Sequence, residues 1–307
     1  MQYIKANKNV APILYLLFNR PNKVKVSFKK IRAARPSRLY ISIDGARCVS
    51  DALAQKECLE IIHSTIDWEC EVKINHFEKN LGCKDGVMGG IDWFFLHEEA
   101  GIICEDDVVL SEEFFLFATY ILERYRYDKN IFLVSADGRA ASRFKKKATY
   151  FFTKFPTVWG WATWRDRWSV IDRDLNNFSK ELPEVLDNIG KNRDSQRFWR
   201  KNFKTVYLKK LDTWDFHLAF YHFQGKFKSI IPSANLVTNI GFDNEATHTT
   251  EVNSDIDGLE LEFFEGPYRP CQDPMLAQQI DNWYQKRFVR KNFVYRVLKR
   301  FKRILES

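Results

Sequence analysis

From Ile13 to Ser135 short apolar runs alternate with helical patterns, and this order constrains the fold more than any other feature. Strands are predicted over Ile13–Phe18, Arg38–Asp44, Cys70–Phe77, Gly101–Cys104 and Ile131–Ser135. Helices are predicted over Pro21–Ala34, 51–63, Ser111–Tyr127 and, behind a glycine-bearing loop, within Asn80–His97. Strands separated by helices imply an α/β fold, a mainly parallel sheet with helices on both faces. The second half changes character. Residues 150–168 are dense in aromatics, and Trp161, Trp164 and Trp168 fall on one helical face. Helices over 179–188, 195–210 and 214–224 and short strands near 227–231 and 235–240 complete the pattern. No linker divides the halves. The reading is one composite domain over 1–280, with a nucleotide half to about 140 and an acceptor half beyond it.

Composition excludes several classes. Apolar residues make up 45% and charged residues 29%, a globular balance. The longest apolar run, Val10–Phe18, has nine residues, against about 20 for a membrane span. Lys5 and Lys8 precede that run, but Asn19-Arg20-Pro21 follows it where a small-residue cleavage site would stand, so no secretory leader is expected. Six dispersed cysteines without a C-x-x-C pair read as reduced, mostly buried thiols. The net charge of +8 is local: residues 283–307 hold nine basic side chains and one acid, while the other 282 residues balance 39 against 39. A nucleic-acid footprint over the domain is therefore not expected.

The residues able to carry chemistry sit at predicted strand ends. Glu105-Asp106-Asp107 closes the fourth strand, where three adjacent acids repel unless a hard cation offsets the charge. Ligands of open α/β sheets bind at such carboxyl ends. An acidic helix start before Ser111 is the alternative. Asp44 ends the second strand, as a base or ribose acceptor or as a turn-forming Asp-Gly. Arg20 follows the first strand and offers a cationic fork for phosphate, or a solvated turn residue. The loop Asn80–Gly86 could present backbone N–H groups to a diphosphate. Trp214-Asp215 opens a helix, with Asp212 three residues earlier. Either acid suits a general base, and Asp212 also suits a helix cap. His248 closes a strand-like run.

With these residues in place, residues 10–250 resemble a GT-A glycosyltransferase, in the group around N-acetylglucosaminyltransferase I and related bacterial family 2 enzymes. Arg20, Asp44 and the acid triplet match the donor half in order. Phe152–Pro156 with Trp159-Gly160-Trp161 resembles that group's aromatic stretch. Trp214-Asp215 falls at its catalytic base, and Pro232–Gly241 through Thr247-His248-Thr249 resembles its closing segment. The resemblance implies a Rossmann-like sheet that binds a nucleotide sugar, with a UDP-sugar favoured, together with Mn²⁺ or Mg²⁺. It implies transfer to an acceptor hydroxyl with inversion. Asp107 would be the metal ligand and His248 a further metal or diphosphate contact. Asp106 would face the ribose, Glu105 the donor sugar, Asp44 the base and Arg20 the diphosphate. Asp215 would be the catalytic base. The group carries two consecutive acids there, whereas Phe216 follows Asp215 here, and Asp212 stands as the alternative.

Residues 281–307 read as a basic amphipathic helix. Val294, Val297, Leu298, Phe301 and Leu305 form one stripe, and Arg296, Lys299, Arg300 and Arg303 lie opposite. An anionic membrane surface, a glycan or lipid-linked acceptor, a role in bacterial cell-surface polysaccharide synthesis and a place on the inner face of the plasma membrane are the corresponding expectations. A docked helix with solvated charges is the alternative. A sugar nucleotidyltransferase is disfavoured, because no glycine- and lysine-rich phosphate loop follows the first strand. A non-catalytic membrane-surface protein is disfavoured by the intact acid triplet.

Overall fold

The computed structural model describes residue 7 and residues 10–241 and 260–287. In chain order the elements are β1 (Ile13–Leu17), α1 (Pro21–Ala34), β2 (Arg38–Ile43), α2 (Val49–Thr65), β3 (Glu71–His76), α3 (Gly82–His97), β4 (Ala100–Glu105), β5 (Val108–Leu110) and α4 (Glu112–Arg124). There follow β6 (Ile131–Ser135), β7 (Tyr150–Thr153), β8 (Trp161–Trp164), α5 (Arg165–Trp168), α6 (Phe178–Ile189), α7 (Arg193–Tyr207), α8 (Asp215–Gln224), β9 (Lys228–Pro232) and β10 (Val237–Asn239). A further helix covers 274–287.

Eight strands form one sheet in the order β3-β2-β1-β4-β8-β6-β9-β7, and β5 pairs separately with β10. Adjacent pairs among β3, β2, β1 and β4 are parallel, as are β6 and β9. Only β8 and β7 run against the rest. The mainly parallel α/β sheet expected from the sequence is therefore present, with two reversed strands.

The first strand shows why. All five residues of β1 are buried. Ile13, Tyr15 and Leu17 pack with Val24 and Phe28 of α1, while Leu14 and Leu16 pack with Met88 and Ile91 of α3. A strand covered on both faces needs a continuous apolar run, and this one supplies it. Pro21 then stands at the first position of α1, where a missing N–H costs nothing.

The tryptophans depart from the helical reading. Trp161 and Trp164 belong to β8, which is inserted antiparallel between β4 and β6. A spacing of three is one helical turn, but it is also an odd offset in a strand. Trp161 thus packs with one core face and Trp164 with the other.

A second core holds the second half together: Trp199 and Phe203 of α7, Phe220 and Phe223 of α8, and Ile280 and Tyr284 of the 274–287 helix. The basic C-terminal segment thus begins within a helix docked on this half. Its remainder, with the stripe from Val294, lies outside the described residues. All six cysteines are free thiols, of which Cys58 and Cys104 are buried. Among the described residues no helix is long and apolar enough to cross a membrane.

One buried group makes this core sensitive to acid. His222 of α8 is fully buried, its Nε2 3.0 Å from Ser229 Oγ. Desolvation lowers its pKa from 6.5 to about 3. The neutral ring is the folded form, so its contribution is complete above pH 6.5 and is lost as pH falls toward 3. The loss should approach about 1.4 kcal/mol per pH unit. The difference in urea-unfolding stability between wild type and His222→Gln is expected to change with this slope between pH 7 and 4.5, up to one proton.

Candidate active site

The carboxyl ends of β1, β2 and β4 open into a cavity of about 930 Å³. The same cavity is walled from the second half of the chain by Asp212, Trp214, Asp215 and Trp159, and by Asn239 at the end of β10 and Gly241 beyond it. Arg20, Asp44, Glu105, Asp106, Asp107, Asp212 and Asp215 all line it. Residues far apart in sequence, chosen for their chemistry, converge on one site. His248 lies outside the described residues.

At the β4 end the acids are organised by Arg20. Its guanidinium donates to Asp106 and, at 2.9 Å, to Asp107 Oδ2. Asp106 is fully buried and also accepts the Phe18 N–H at 3.2 Å. Its carbonyl accepts from Ser27 Oγ at 2.9 Å, and Ser27 meets the Tyr15 hydroxyl at 2.7 Å. These bonds tie the β4 turn to β1 and α1. Asp106 therefore anchors the turn and has no open edge for a ribose, which differs from the role the resemblance implies. Burial pushes the Asp106 carboxyl up, against the lowering effect of Arg20. Glu105 rises to about 8, from desolvation first and then from Asp107. Burial disfavours the Arg20 charge, but Asp106 and Asp107 more than reverse that.

A second departure concerns the 80–84 loop. Asp44 accepts from Gly45 N at 2.9 Å, Leu81 N at 2.8 Å, Gly82 N at 3.1 Å and Asn80 Nδ2 at 2.9 Å. A carboxylate has about four acceptor sites, so Asp44 is spent on this loop and does not offer itself to a base. Asp212 accepts from Cys83 N at 2.8 Å and Lys84 N at 2.9 Å. Four successive N–H groups, 81 to 84, thus meet carboxylates of the protein, and the loop does not present them to a diphosphate. Gly82 allows the approach, because its φ is +82° and a Cβ there would lie 2.6 Å from Asp212 Oδ2.

Asp212 is a helix cap as its residue type suggested, but of α3 rather than α8. It joins the two halves across the cavity. Asp212→Ala should leave two N–H groups of α3 without that acceptor. The expected loss is about 1 kcal/mol, a fall in thermal midpoint of about 1–2 °C for a chain of this length. A melting curve against wild type measures it.

Asp215 begins α8, and its Oδ1 accepts from Thr213 Oγ1 at 2.6 Å and Phe216 N at 2.9 Å. Trp214 before it is stacked on Trp161, with centroids 5.7 Å apart and planes at 21°. The strand that reads as part of a helix thereby seats the start of α8. Asp215 is near enough to Glu105 to raise that carboxyl's pKa.

Two site residues carried no clear sequence signal, Asn239 and Gly241. β10 pairs antiparallel with β5, setting Asn239 opposite Val108, and Ile240 N donates to the Asp107 carbonyl at 2.8 Å. A Cβ on Gly241 would lie 2.4 Å from Asp107 Oδ2 and 2.9 Å from Asn239 Oδ1. Glycine thus lets the backbone come close to both oxygens, and Gly241 N donates to Asn239 Oδ1 at 2.6 Å. An Asn-x-Gly after an apolar run was the available hint.

Among the described residues no group of three or more His, Cys, Asp and Glu is arranged to hold a metal ion. An all-protein cage does not fit. A hard cation held by one carboxylate, with phosphate oxygens and water completing its shell, does fit Asp107, which lines the cavity.

No protein-family model matches the sequence, and no curated protein matches it. Among solved structures the chain is similar to a mannosyltransferase from Pyrobaculum calidifontis in complex with GDP-Man and Mn²⁺. The TM-score is 0.40 at 10% identity, covering 71% of this chain and 74% of that one. It is also similar to a UDP-glucose pyrophosphorylase complexed with UDP-glucose, with a TM-score of 0.32 at 10% identity, covering 55% of this chain and 82% of that one.

Proposed function

We propose that the chain is an inverting glycosyltransferase of the GT-A type that uses a nucleotide sugar. One observation carries this reading: a single cavity is lined by the acid triplet at the end of β4 and by Asp215 at the start of α8. Transfer needs a place for a leaving diphosphate and, apart from it, a carboxylate for the acceptor hydroxyl. The acid triplet and Asp215, one from each half, are suited to these two tasks.

Asp107 would hold Mn²⁺ or Mg²⁺, which when bound supplies positive charge to the departing diphosphate. Arg20 fixes the direction of Asp107 and borders the diphosphate side. Glu105 faces the sugar of the donor. Asp106 and Asp44 act through the backbone, Asp106 by anchoring the β4 turn and Asp44 by fixing the 80–82 loop. Phe18, with the Arg47 guanidinium 4.7 Å from its ring centroid, lines the same cavity as Asp44 and suits a nucleobase, a UDP-sugar being our preferred donor. Asp215 accepts the proton of the acceptor hydroxyl as the new bond forms.

The acceptor is a glycan or lipid-linked hydroxyl in bacterial cell-surface polysaccharide synthesis. The basic segment 281–307 would hold the enzyme to an anionic membrane on the inner face of the plasma membrane. The local charge of that segment supports this placement.

Thermal shift with a panel of nucleoside-diphosphate sugars and Mn²⁺ tests the donor half of this reading. At least one member should raise the midpoint by several degrees, and more with Mn²⁺ than without. A panel that leaves the midpoint unmoved refutes it.

A further inference from the structure

We propose that Trp159 is a platform for a pyranose ring of the acceptor, and that Arg139, clamped by Asp137, is the residue that positions it. This rests on the transferase reading above. Four tryptophans crowd residues 159–168: Trp161, Trp164 and Trp168 are 1%, 3% and 4% exposed, whereas Trp159 packs against the main core only in part. Trp159 is half-buried and lines the cavity that holds Asp215. Gly160, with φ +60°, sends the two neighbouring indoles in different directions.

The position of Trp159 is built. Arg139 Cζ lies 5.2 Å from the Trp159 ring centroid, within reach of a cation–π contact. The guanidinium is held by Asp137 through two bonds, Nε to Oδ1 at 2.7 Å and Nη2 to Oδ2 at 2.5 Å. The Asp137 side chain is 2% exposed and that of Arg139 13%. The segment carrying this pair is bonded to the chain on either side of Trp159. Thr157 Oγ1 meets Ser135 Oγ at 2.8 Å, and Ala136 N donates to the Gly160 carbonyl at 2.9 Å. A buried ion pair is a costly way to fix a surface side chain, and its use here points to an indole whose placement matters. A fixed indole at a polar cavity wall suits the apolar C–H face of a pyranose, whose hydroxyls would meet the polar wall. Trp159 lines the same cavity as Asp215, and on the reading of Asp215 as the base we place it with the acceptor.

The test uses the full chain and saturation-transfer NMR with three probes: methyl β-glucopyranoside, methyl β-galactopyranoside and methyl N-acetyl-β-glucosaminide, each in the presence of UDP and Mn²⁺. Wild type should bind at least one. Trp159→Leu should weaken that binding by about tenfold, and Trp159→Phe should restore most of it. Arg139→Lys, which keeps the charge but not the planar stack, should raise the KM for that glycoside as acceptor more than it lowers kcat. UDP affinity of each variant reports the donor side and the fold. Glycoside binding that survives in Trp159→Leu overturns the proposal, as does a wild type that binds none of the probes. Loss of UDP affinity in step with glycoside binding overturns it too, because Trp159 then serves the donor. A wild type that binds glycosides but cleaves no nucleotide sugar leaves the platform standing and removes the transferase reading.

Discussion

Asp215→Asn is expected to lower sugar transfer by about two orders of magnitude or more, the usual range for loss of a general base. Asparagine keeps the shape and can still accept from Thr213 Oγ1 and Phe216 N, the two donors that fix Oδ1 at 2.6 and 2.9 Å. What disappears is the ability to take a proton. Donor affinity should stay within about twofold, because the carboxylate faces the acceptor. Asp212→Asn separates the two candidates. Its carboxylate already serves Cys83 N and Lys84 N at 2.8 and 2.9 Å, so that change should affect stability more than turnover. Initial rates with saturating donor decide the question: a crippled Asp212→Asn beside an active Asp215→Asn would make Asp212 the base.

Arg20→Met should produce the largest loss of stability. Asp106 is fully buried, and Arg20 is the cation that meets it. Removing one partner of a buried pair costs about 3–5 kcal/mol, since the charge left behind is uncompensated. The sign of the pH dependence follows. Without Arg20 the Asp106 carboxyl rises further above its ordinary range, so the folded state holds its proton more tightly than the unfolded chain. The deficit should therefore shrink as pH falls from 7 toward 5. Arg20→Lys, which keeps a charge, should lose less. Denaturant unfolding at two pH values measures both effects, and a deficit independent of pH would contradict this role for Asp106.

Much of this was legible in the residues. The strands β1, β2, β4 and β6 announce themselves as short apolar runs between helical patterns, and β3 by its alternation. The acids at their ends converge because parallel strands place their carboxyl ends together. Other features were hidden by distance. Asp44 reaches Leu81 across 37 residues and Asp212 reaches Cys83 across 129, and no local pattern records such a bond. Asp212 reads as a cap for the helix that follows it, but caps α3. Asp106 reads as a ligand-facing acid, yet Arg20 and Phe18 N engage both of its oxygens. The tryptophans of β8 mimic a helical stripe because a three-residue spacing fits both geometries. Asn239 and Gly241 meet Asp107 only through the pairing of β10 with β5, a contact that sequence spacing does not reveal.

The most direct measurement is cleavage of nucleoside-diphosphate sugars in the presence of Mn²⁺ by wild type and by Asp107→Asn, with no acceptor but water. The expected result is slow release of nucleoside diphosphate from at least one donor by wild type. Asp107→Asn, folded as judged by its melting curve, should be slower by about a hundredfold or more. Absence of cleavage across the whole panel, or wild-type rates from Asp107→Asn at the same Mn²⁺ concentration, would contradict a nucleotide-sugar transferase built on the acid triplet.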